Sequence, residues 1–476
     1  MVIGRPVLLG FIILFGFCAR ASTYKSPLFE HHGWRQSDTA SISRNFYRER
    51  FNPLYPQVDQ RGSGAHGYVE TGFELAAWVV AASAFVIGFH SESGRILNSV
   101  VFVGSCLLVW AFVKRRYGEH HALVAAFLYA FGFPLLLFID RAFMNEPLLI
   151  FLSLLCLTAT QRYLERHAYG DLALLVGASS LIGAVKAPYL IIWAPIAGLF
   201  AERYGLRAAR RGELLLMGAA NLAVVLAWYS HAHGIGEVTG LSFGMSDKLF
   251  DTATVFSTEF PVRMLDRMAR DVLEPVGLIG LAVGLWVALR RRLWCEALGV
   301  AGFVAYLVIV ARGNFIHDYY QLAIMPVAPV LAALGLVRLS EVAARGSTGR
   351  RDLVLAVTLA LALLSTFIRS VSAHSWYEYG SSEVEACQSI QMLSDADERV
   401  MFVGDNNPQM LFCIDRKGWL LADYESDLQH VTEAWRSGAK LAVVPRTLDR
   451  PEVRRFVSDT GQLLFASRTI EVYRLP

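Results

Sequence analysis

The stretch 97-LNSVVFVGSCLLVWAFVKRRYGEHHALVAAFLYAFGFPLLLF-138 decides the fold, because it holds two long apolar runs on either side of Lys114-Arg115-Arg116. Apolar runs of about 15–20 residues approach the length needed to cross the hydrocarbon core of a bilayer. Basic residues in the short loops between such runs mark the cytoplasmic side. The stretch therefore predicts two membrane-spanning helices joined by a cytoplasmic loop.

The same pattern extends over most of the chain. Its 476 residues are 54% hydrophobic and 18% charged, whereas soluble domains are roughly 45–50% apolar and about 25% charged. A net charge of +3 is too small to indicate nucleic-acid binding. Further apolar runs lie near residues 6–19, 147–161, 171–185, 189–201, 213–229, 273–289, 294–311, 320–337 and 352–369. The sequence thus predicts a polytopic α-helical membrane protein.

The loops between these runs alternate in charge. One set is rich in arginine and is predicted to be cytoplasmic by the positive-inside rule: 114–116, 162–166, 203–211, 290–292 and 338–351. The other set has mixed charge and is predicted to lie outside: 138–146, 185–188, 230–272 and 312–319. Segment 21–96 and the C-terminal region fall on the same outer side. The polar chemistry of the chain is therefore expected to face away from the cytoplasm.

Residues 75–89 (LAAWVVAASAFVIGF) resemble one more span. Counting them as a crossing would place every later arginine-rich loop outside, against the positive-inside rule. We therefore predict an amphipathic or re-entrant helix at the outer membrane interface, which leaves about eleven transmembrane helices. The first run precedes Ala19-Arg20-Ala21, which resembles a signal-peptide cleavage site. A cleaved leader and an uncleaved first span both place residue 22 outside.

The composition changes near residue 370. Short runs typical of β-strands lie at 399–403, 440–444, 462–466 and 469–474, with helical patterns at 381–394 and 425–437. We predict a transmembrane domain over 1–370, in which 21–96 forms the first outer loop with juxtamembrane helices. A small extracytoplasmic α/β domain is predicted over 371–476. Cys387 and Cys413 can form a disulfide there if the compartment is oxidising.

The densest polar sequence is the first outer segment, 31-HHGWRQSDTASISRNFYRERFNPLYPQVDQRGSGAHGYVETGFEL-75. Most of its charges are explained by an ordinary solvated loop. Asp38 stands at the start of a helical stretch expected over 38–50, where helix capping would account for it. Aromatic and basic side chains nevertheless surround it at the membrane surface, where a carboxylate is costly unless it is paired or used. Asp38 is therefore a candidate functional residue.

A series of short motifs resembles the bacterial family 39-type glycosyltransferases of the GT-C superfamily, which includes the protein O-mannosyltransferases and the lipid A aminoarabinose transferase. The motifs keep their order and spacing over roughly residues 30–340. They are GWRQSDTA (33–40), NPLYPQVD (52–59), YVETGFEL (68–75), GRIL (94–97), RAFMNEP (141–147), AVKAPY (184–189), AWYSHAH (227–233), SFGMSDK (242–248) and HDYYQLAIMP (317–326). Segment 405-DNNPQMLFCIDRKGW-419 also resembles a family segment.

The resemblance implies a GT-C fold and a reaction. Such enzymes take a sugar from a polyprenyl-phosphate carrier and transfer it, with inversion, to a glycan, lipid or protein acceptor at the outer face. For a bacterial chain this means the inner membrane, with the active site facing the periplasm. The membrane lipids are then further partners.

The resemblance also assigns residues. Asp38 matches the family's acid in the first loop, the candidate general base, for which a carboxylate within reach of the acceptor hydroxyl is suited. Glu146 stands where the family often has an acid that orients the acceptor or helps to hold a metal, although the preference of helix N-termini for acidic residues explains it too. Glu70 matches the acid that opens the interfacial helix. Close relatives have a lysine next to that acid, where this chain has Thr71, so one expected phosphate contact is missing.

The remaining candidates would bind the donor or the acceptor. Lys186 ends one span and is placed to contact a lipid phosphate, although a snorkelling lysine explains it too. Arginine binds phosphate through a planar fork of donors, and His317 and Tyr320 match a recurrent motif before a late span. The full set of expected binding residues is Arg35, Glu70, Arg95, Arg141, Glu146, Lys186, His317 and Tyr320.

The sequence does not decide whether the protein binds a metal ion. His231 and His233 suggest a ligand pair, but the usual set of ligands is incomplete. Some GT-C enzymes use a divalent metal ion and others use none.

Two other functions are compatible with a polytopic protein: a flippase or transporter of lipid-linked sugars, and a scaffold for envelope assembly. A transporter would be expected to show internal repeats and charges at mid-span, which the sequence lacks.

Overall fold

The computed structural model describes residues 4–62, 66–244 and 248–476. Residues 63–65 of the first outer segment and residues 245–247 of the motif 242–248 lie outside the described part. Up to residue 393 the described residues are mainly helical. Their one β-sheet begins at Arg399.

The described residues form twenty-one α-helices. In chain order they are α1 (Arg5–Ala21), α2 (Gly33–Arg48), α3 (Leu75–Ile87), α4 (Ser93–Tyr117), α5 (Glu119–Phe131), α6 (Pro134–Ile139), α7 (Glu146–Arg166), α8 (Tyr169–Lys186), α9 (Trp193–Tyr204), α10 (Gly212–Thr239), α11 (Thr252–Val255), α12 (Glu259–Arg267), α13 (Glu274–Arg291), α14 (Trp294–Ile309), α15 (Ala311–Ile316), α16 (Ala328–Ala344), α17 (Thr348–Ser372), α18 (Ser381–Leu393), α19 (Pro408–Ile414), α20 (Leu428–Arg436) and α21 (Pro451–Thr460).

The chain divides into two compact units. The first comprises Met1–Tyr24, Gly94–Ser230 and Gly244–His374, and the second comprises Lys25–Ser93, His231–Phe243 and Ser375–Pro476. The division expected from the sequence, 1–370 against 371–476, stays a prediction about domains. Compactness groups the first outer segment with the C-terminal residues instead.

The first unit contains most of the long apolar helices. Five helices in the described part of the chain are long and apolar enough to cross a membrane, and two bent helix pairs raise that number to seven. The predicted count of eleven therefore stays a prediction.

Glycines allow close packing of the helices in the first unit: a Cβ on Gly284 of α13 would lie 1.9 Å from the carbonyl oxygen of Leu331. Small residues at such crossings let membrane helices approach closely.

Helix α3 falls in the segment predicted to lie in the interface. Its 13 residues extend about 20 Å, which is less than the roughly 30 Å of a hydrocarbon core. Its buried residues include Ala77 and Ala81, which join one hydrophobic cluster with Ile42 and Phe46 of α2. The short length supports the prediction that this segment does not cross the membrane.

The C-terminal residues form a five-stranded sheet in the order β2-β1-β3-β5-β4. The strands are β1 (Arg399–Val403), β2 (Gly418–Leu421), β3 (Ala439–Pro445), β4 (Gln462–Ala466) and β5 (Ile470–Arg474). Strands β1, β2 and β3 are parallel, and β5 is antiparallel to both β3 and β4. Four of these strands confirm the sequence prediction, which missed β2.

Two hydrophobic clusters involve the sheet. One contains Val431 of α20 and Val453 of α21, and the other contains Ile390 of α18 and Leu411 of α19. A disulfide joins Cys387 to Cys413, with Cα atoms 6.1 Å apart. It confirms the pairing expected for an oxidising compartment.

Candidate active site

Helix α2 carries Asp38 and is unusual because it is polar and yet buried. Most of its residues between Gln36 and Phe46 are polar, and all of them are buried in the structure. The helix begins at Gly33, after His32, whose backbone is left-handed at φ 56°. Asp38 is therefore an interior residue of the helix, and the predicted position near its N-cap is wrong.

Asp38 is only 5% exposed. Burial is the main cause that raises the pKa of its carboxyl group to about 8, because a charged carboxylate is poorly solvated there. The charges of Glu74 and Asp59 raise the pKa further, while Arg35 and a hydrogen bond with Trp34 oppose the shift. A carboxyl group with a pKa in this range can accept a proton and hold it at neutral pH.

Arg35 is one of the expected binding residues, and its positive charge acts on Asp38. One of its nitrogens, Nη2, donates to Oε1 of Glu74 at 2.8 Å, and the guanidinium lies 5.0 Å from the centre of the Phe243 ring. Glu74 also accepts a hydrogen bond from Thr71 Oγ1 at 2.9 Å and is buried. The structure therefore adds Glu74 to the site, a residue that the sequence analysis did not select.

Glu70 does not open the interfacial helix, which corrects the assignment made from the motif. Helix α3 begins at Leu75 and its N-cap residue is Glu74. Glu70 instead pairs with Ser242 in an isolated β-bridge, and its Oε1 lies 3.7 Å from Nδ1 of His233. The boundary of the helix, which the motif alone did not fix, is the reason for the error.

The two histidines that suggested a metal have different partners. His231 Nε2 lies 2.8 Å from the carbonyl oxygen of Leu54, whereas His233 lies 3.7 Å from both Glu70 and Glu237. Alternate residues on a helix point in different directions. This geometry does not favour a shared metal ligand pair, and the metal requirement stays open.

In the first unit, Lys186 brings several predicted residues together. Its Nζ lies 2.9 Å from Oε1 of Glu146, the first residue of α7, and 3.5 Å from the centre of the Tyr320 ring. The His317 ring lies 5.3 Å from that of Tyr320. The sequence analysis did not select Tyr319, whose ring centre lies 5.3 Å from Nζ of Lys186. The ammonium group of Lys186 is thereby held between a carboxylate and aromatic rings.

The segment before Glu146 is held by buried polar contacts. Asp140 pairs with Arg20 of α1 at 2.8 Å, and neither side chain is exposed. Asn98 Nδ2 donates to the carbonyl oxygen of Met144 at 2.9 Å. Arg141 is also buried, with its guanidinium 4.6 Å from the centre of the Phe138 ring. These contacts fix the connection that positions Glu146 at the start of α7.

Arg95 has a different environment from the other phosphate candidates. It is fully buried, and Nη1 donates to the carbonyl oxygens of Thr23 and Tyr24 at 3.1 Å each. These bonds satisfy backbone groups at the end of the first helical segment. The geometry therefore supports a structural role for Arg95, and its phosphate contact stays a prediction.

Comparison with known proteins supports the resemblance seen in the motifs. The family described as dolichyl-phosphate-mannose-protein mannosyltransferase matches residues 74–230 of this chain. No curated protein sequence matches the chain. The matched residues include Arg95, Arg141, Glu146 and Lys186, but they stop short of Asp38 on one side and His317 on the other.

Solved structures match the chain over nearly its whole length. ArnT from Cupriavidus metallidurans bound to undecaprenyl phosphate matches with a TM-score of 0.68 and 12% identity, over 99% of this chain and 98% of that one. The archaeal oligosaccharyltransferase AglB from Archaeoglobus fulgidus, in complex with an inhibitory peptide and a dolichol-phosphate, matches with a TM-score of 0.55 and 12% identity, over 93% of this chain and 69% of that one. The predicted GT-C fold is confirmed, and the chain is a multi-pass membrane protein.

Proposed function

We propose that the chain is a membrane glycosyltransferase that transfers a sugar from a polyprenyl-phosphate carrier to an acceptor. The observation that carries the proposal is the match over almost the full length of both chains to a GT-C protein bound to undecaprenyl phosphate. The mannosyltransferase family matched by residues 74–230 supports the same class of donor. The proposed sugar is a hexose or a pentose, and the proposed acceptor is a glycan, a lipid or a protein.

Lys186 is proposed to bind the phosphate of the donor. A lysine provides a compact positive charge, which suits a phosphate that gains negative charge as the sugar leaves it. Glu146 holds the ammonium group at 2.9 Å before the donor arrives, and Tyr320 covers it from another side. His317 and Arg141 are proposed as further donor contacts.

Asp38 is proposed as the general base. The acceptor hydroxyl attacks the anomeric carbon, its proton passes to the Asp38 carboxylate, and the bond from that carbon to the phosphate oxygen breaks. Polyprenyl phosphate leaves and the configuration of the sugar inverts. A base works best when its pKa lies near the working pH, and the pKa of Asp38 is about 8. Glu74 contributes by keeping Arg35 engaged at 2.8 Å.

We also propose that the protein resides in a bacterial inner membrane, with Asp38 on the periplasmic side. The charge alternation of the loops supports this orientation. The disulfide Cys387–Cys413 adds independent support, because disulfides persist in the periplasm and are rare in the cytosol. A donor loaded in the cytoplasm would then be used outside, where no nucleotide is needed.

The experiment uses the full chain in lipid nanodiscs. Polyprenyl-phosphate sugars are extracted from a strain that lacks the protein, in which the unused donor is expected to accumulate and can be identified by mass spectrometry. Added to this donor and a cell-envelope extract, the wild-type protein should release free polyprenyl phosphate. Asp38→Asn should not, while Asp397→Asn, an exposed aspartate of the same compact unit, should behave as the wild type.

The outcomes separate the competing functions. A flippase would move the lipid-linked sugar between the leaflets of a vesicle without consuming it. A scaffold would change neither the distribution nor the amount of the donor. If the donor neither accumulates in the strain nor is consumed in vitro, the glycosyltransferase proposal is wrong. If Asp38→Asn transfers at the wild-type rate, only the assignment of the base is wrong.

A further inference from the structure

Asp59 of the first outer segment is the centre of a buried charge network. It forms ion pairs with Arg44 of α2 and with Lys417, whose Nζ lies 2.7 Å from Oδ1 of Asp59. Asn45 Nδ2 donates to the same oxygen at 3.2 Å. The side chains of Asp59 and Arg44 are 2% and 5% exposed, respectively. Two cations and an amide therefore converge on one buried carboxylate.

The network extends from α2 into the C-terminal residues. Arg44 Nη1 donates to the carbonyl oxygen of Phe412 at 3.1 Å and pairs with Asp415 at 2.8 Å. Lys417 reaches back to Glu49, just after α2, at 3.0 Å. The backbone joins too, because the N–H of Gly418 donates to the carbonyl oxygen of Asp59 at 3.1 Å. Segments separated by more than 350 residues of sequence are thereby held side by side.

The backbone approaches closely at the other end of α2 as well. A Cβ on Gly33 would lie 1.8 Å from Nε2 of Gln409 and 2.4 Å from the carbonyl oxygen of Leu28. Gln409 Nε2 donates to that carbonyl at 2.7 Å. Helix α2 is thus held against residues 409–418 both at its first residue and near its last turn, and Asp38 lies between these two points.

Buried ion pairs add little net stability, because the cost of removing both charges from water offsets their attraction. Their best-attested use is to specify one arrangement of the parts they join. Arg44 follows Asp38 by six residues, or about 9 Å along a helix. A shift of the network would therefore move Asp38 as part of the same rigid element.

We propose that Asp59 is a positioning residue, which fixes α2 on the C-terminal residues through Arg44 and Lys417 and so sets the orientation of Asp38. The C-terminal residues are then part of the apparatus that places the base. The catalytic consequence rests on the proposed function, whereas the fixing of α2 does not.

The test compares Asp59→Asn with Glu471→Gln in the full chain. Glu471 pairs with Arg454 at 3.3 Å and Arg446 at 3.5 Å, so its variant loses ion pairs among C-terminal residues without touching α2. Hydrogen exchange of the backbone amides in residues 33–48 should become at least about tenfold faster in Asp59→Asn. It should stay at the wild-type rate in Glu471→Gln.

Transfer kinetics provide the second measurement. A base displaced by about 1 Å can lower kcat by roughly a hundredfold, so Asp59→Asn should lower kcat and leave KM for the extracted donor unchanged. Lys417→Met, which leaves the pair of Asp59 with Arg44 in place, should give a smaller loss, and Lys417→Arg should restore the rate. This rescue distinguishes positioning by charge from a general loss of folding.

Each result has one meaning. Wild-type exchange in residues 33–48 of Asp59→Asn would overturn the inference. Faster exchange with an unchanged kcat would overturn the link from the network to Asp38. If exchange is faster in Asp59→Asn but the wild type consumes no lipid-linked sugar, the fixing of α2 is supported and the proposed function is rejected. If Asp59→Asn does not fold, the Lys417→Met and Lys417→Arg pair decides by the same two measurements.

Discussion

Asp38 and Asp59 belong to the same compact unit and both are buried, but their surroundings shift the two carboxyl pKa values in opposite directions. Burial raises the pKa of Asp38 to about 8, and Glu74 adds to the shift. Burial also acts to raise the pKa of Asp59, but Arg44, Lys417 and hydrogen bonds outweigh it and lower the pKa to about 2. Burial alone does not decide whether an acid is ionised.

The two acids differ in the cations that act on them. Arg35 lowers the pKa of Asp38 but does not offset the effect of burial, and it also donates a hydrogen bond to Glu74 at 2.8 Å. Arg44 and Lys417 contact Asp59 directly. One carboxyl group is therefore able to take up a proton near neutral pH, as a general base must. The other stays charged near neutral pH, as a structural anion must.

The replacement Asp38→Asn should separate activity from stability. Transfer should fall by about 10²–10⁴-fold, the usual contribution of a general base. The folded pKa of about 8 lies above the ordinary 3.8, so between these pH values the unfolded chain releases the proton that the folded protein keeps, and the stability of the wild type falls as pH rises from 3.8 to 8. Asparagine has no such proton to release, so the variant should be more stable than the wild type at pH 8 by about 1–4 kcal/mol.

Thermal unfolding at pH 8, followed in detergent beside the transfer assay, checks both expectations. Asp397→Asn serves as the control, since Asp397 is exposed and should change neither quantity. Loss of transfer with a lower unfolding temperature would mean that Asp38 is an ionised structural residue like Asp59, and the comparison between them would fail.

The pH dependence of transfer should report the raised pKa of Asp38. The rate should rise with pH and level off above a midpoint near 8, a change of roughly fiftyfold between pH 6 and pH 8. Rates measured over pH 5.5–9.5 with saturating extracted donor provide the profile. Because the charge of Glu74 raises the pKa of Asp38, Glu74→Gln should move the midpoint to lower pH. An unshifted midpoint would show that another group controls the profile.

The sequence predicts the helical membrane fold well because apolar runs and basic loops are local signals. Four strands of the sheet are predicted for the same reason, whereas β2 is missed because it is only four residues long, Gly418–Leu421, and so short a run gives a weak local signal. Glu146, Lys186 and Tyr320 are selected as candidates from motifs whose order resembles a family, whereas the contacts among them are evident only in the structure. That ordering carries information that no single stretch contains.

The charge network could not be predicted in this way. Lys417 and Asp59 are 358 residues apart, and the family-like segments that contain them do not indicate that the two side chains meet. The sequence analysis misses Glu74 for a related reason, since the acid that opens α3 depends on where that helix begins. Helix boundaries are set by tertiary packing as much as by propensity, so the residue that holds Arg35 becomes evident only in the structure.

The acid stability of the protein should depend on Asp59. Its folded pKa of about 2 lies below the ordinary 3.8, so its contribution is fully present above pH 3.8 and is lost as pH falls through 2. The shift corresponds to about 2 kcal/mol of unfolding free energy. Unfolding temperatures between pH 2 and pH 6 should fall less steeply in Asp59→Asn than in the wild type. Parallel curves would contradict the lowered pKa.

The smallest effect is expected at the edge of the network. Arg48 pairs with Asp415 at 2.8 Å, as Arg44 does, but its side chain is 51% exposed against 5% for Arg44. Exposed ion pairs contribute about 0–1 kcal/mol, because water and salt screen them. Arg48→Met should therefore lower the unfolding temperature only slightly and leave hydrogen exchange in residues 33–48 unchanged. A loss as large as that of Asp59→Asn would mean that the number of ion pairs, and not their burial around Asp59, fixes helix α2.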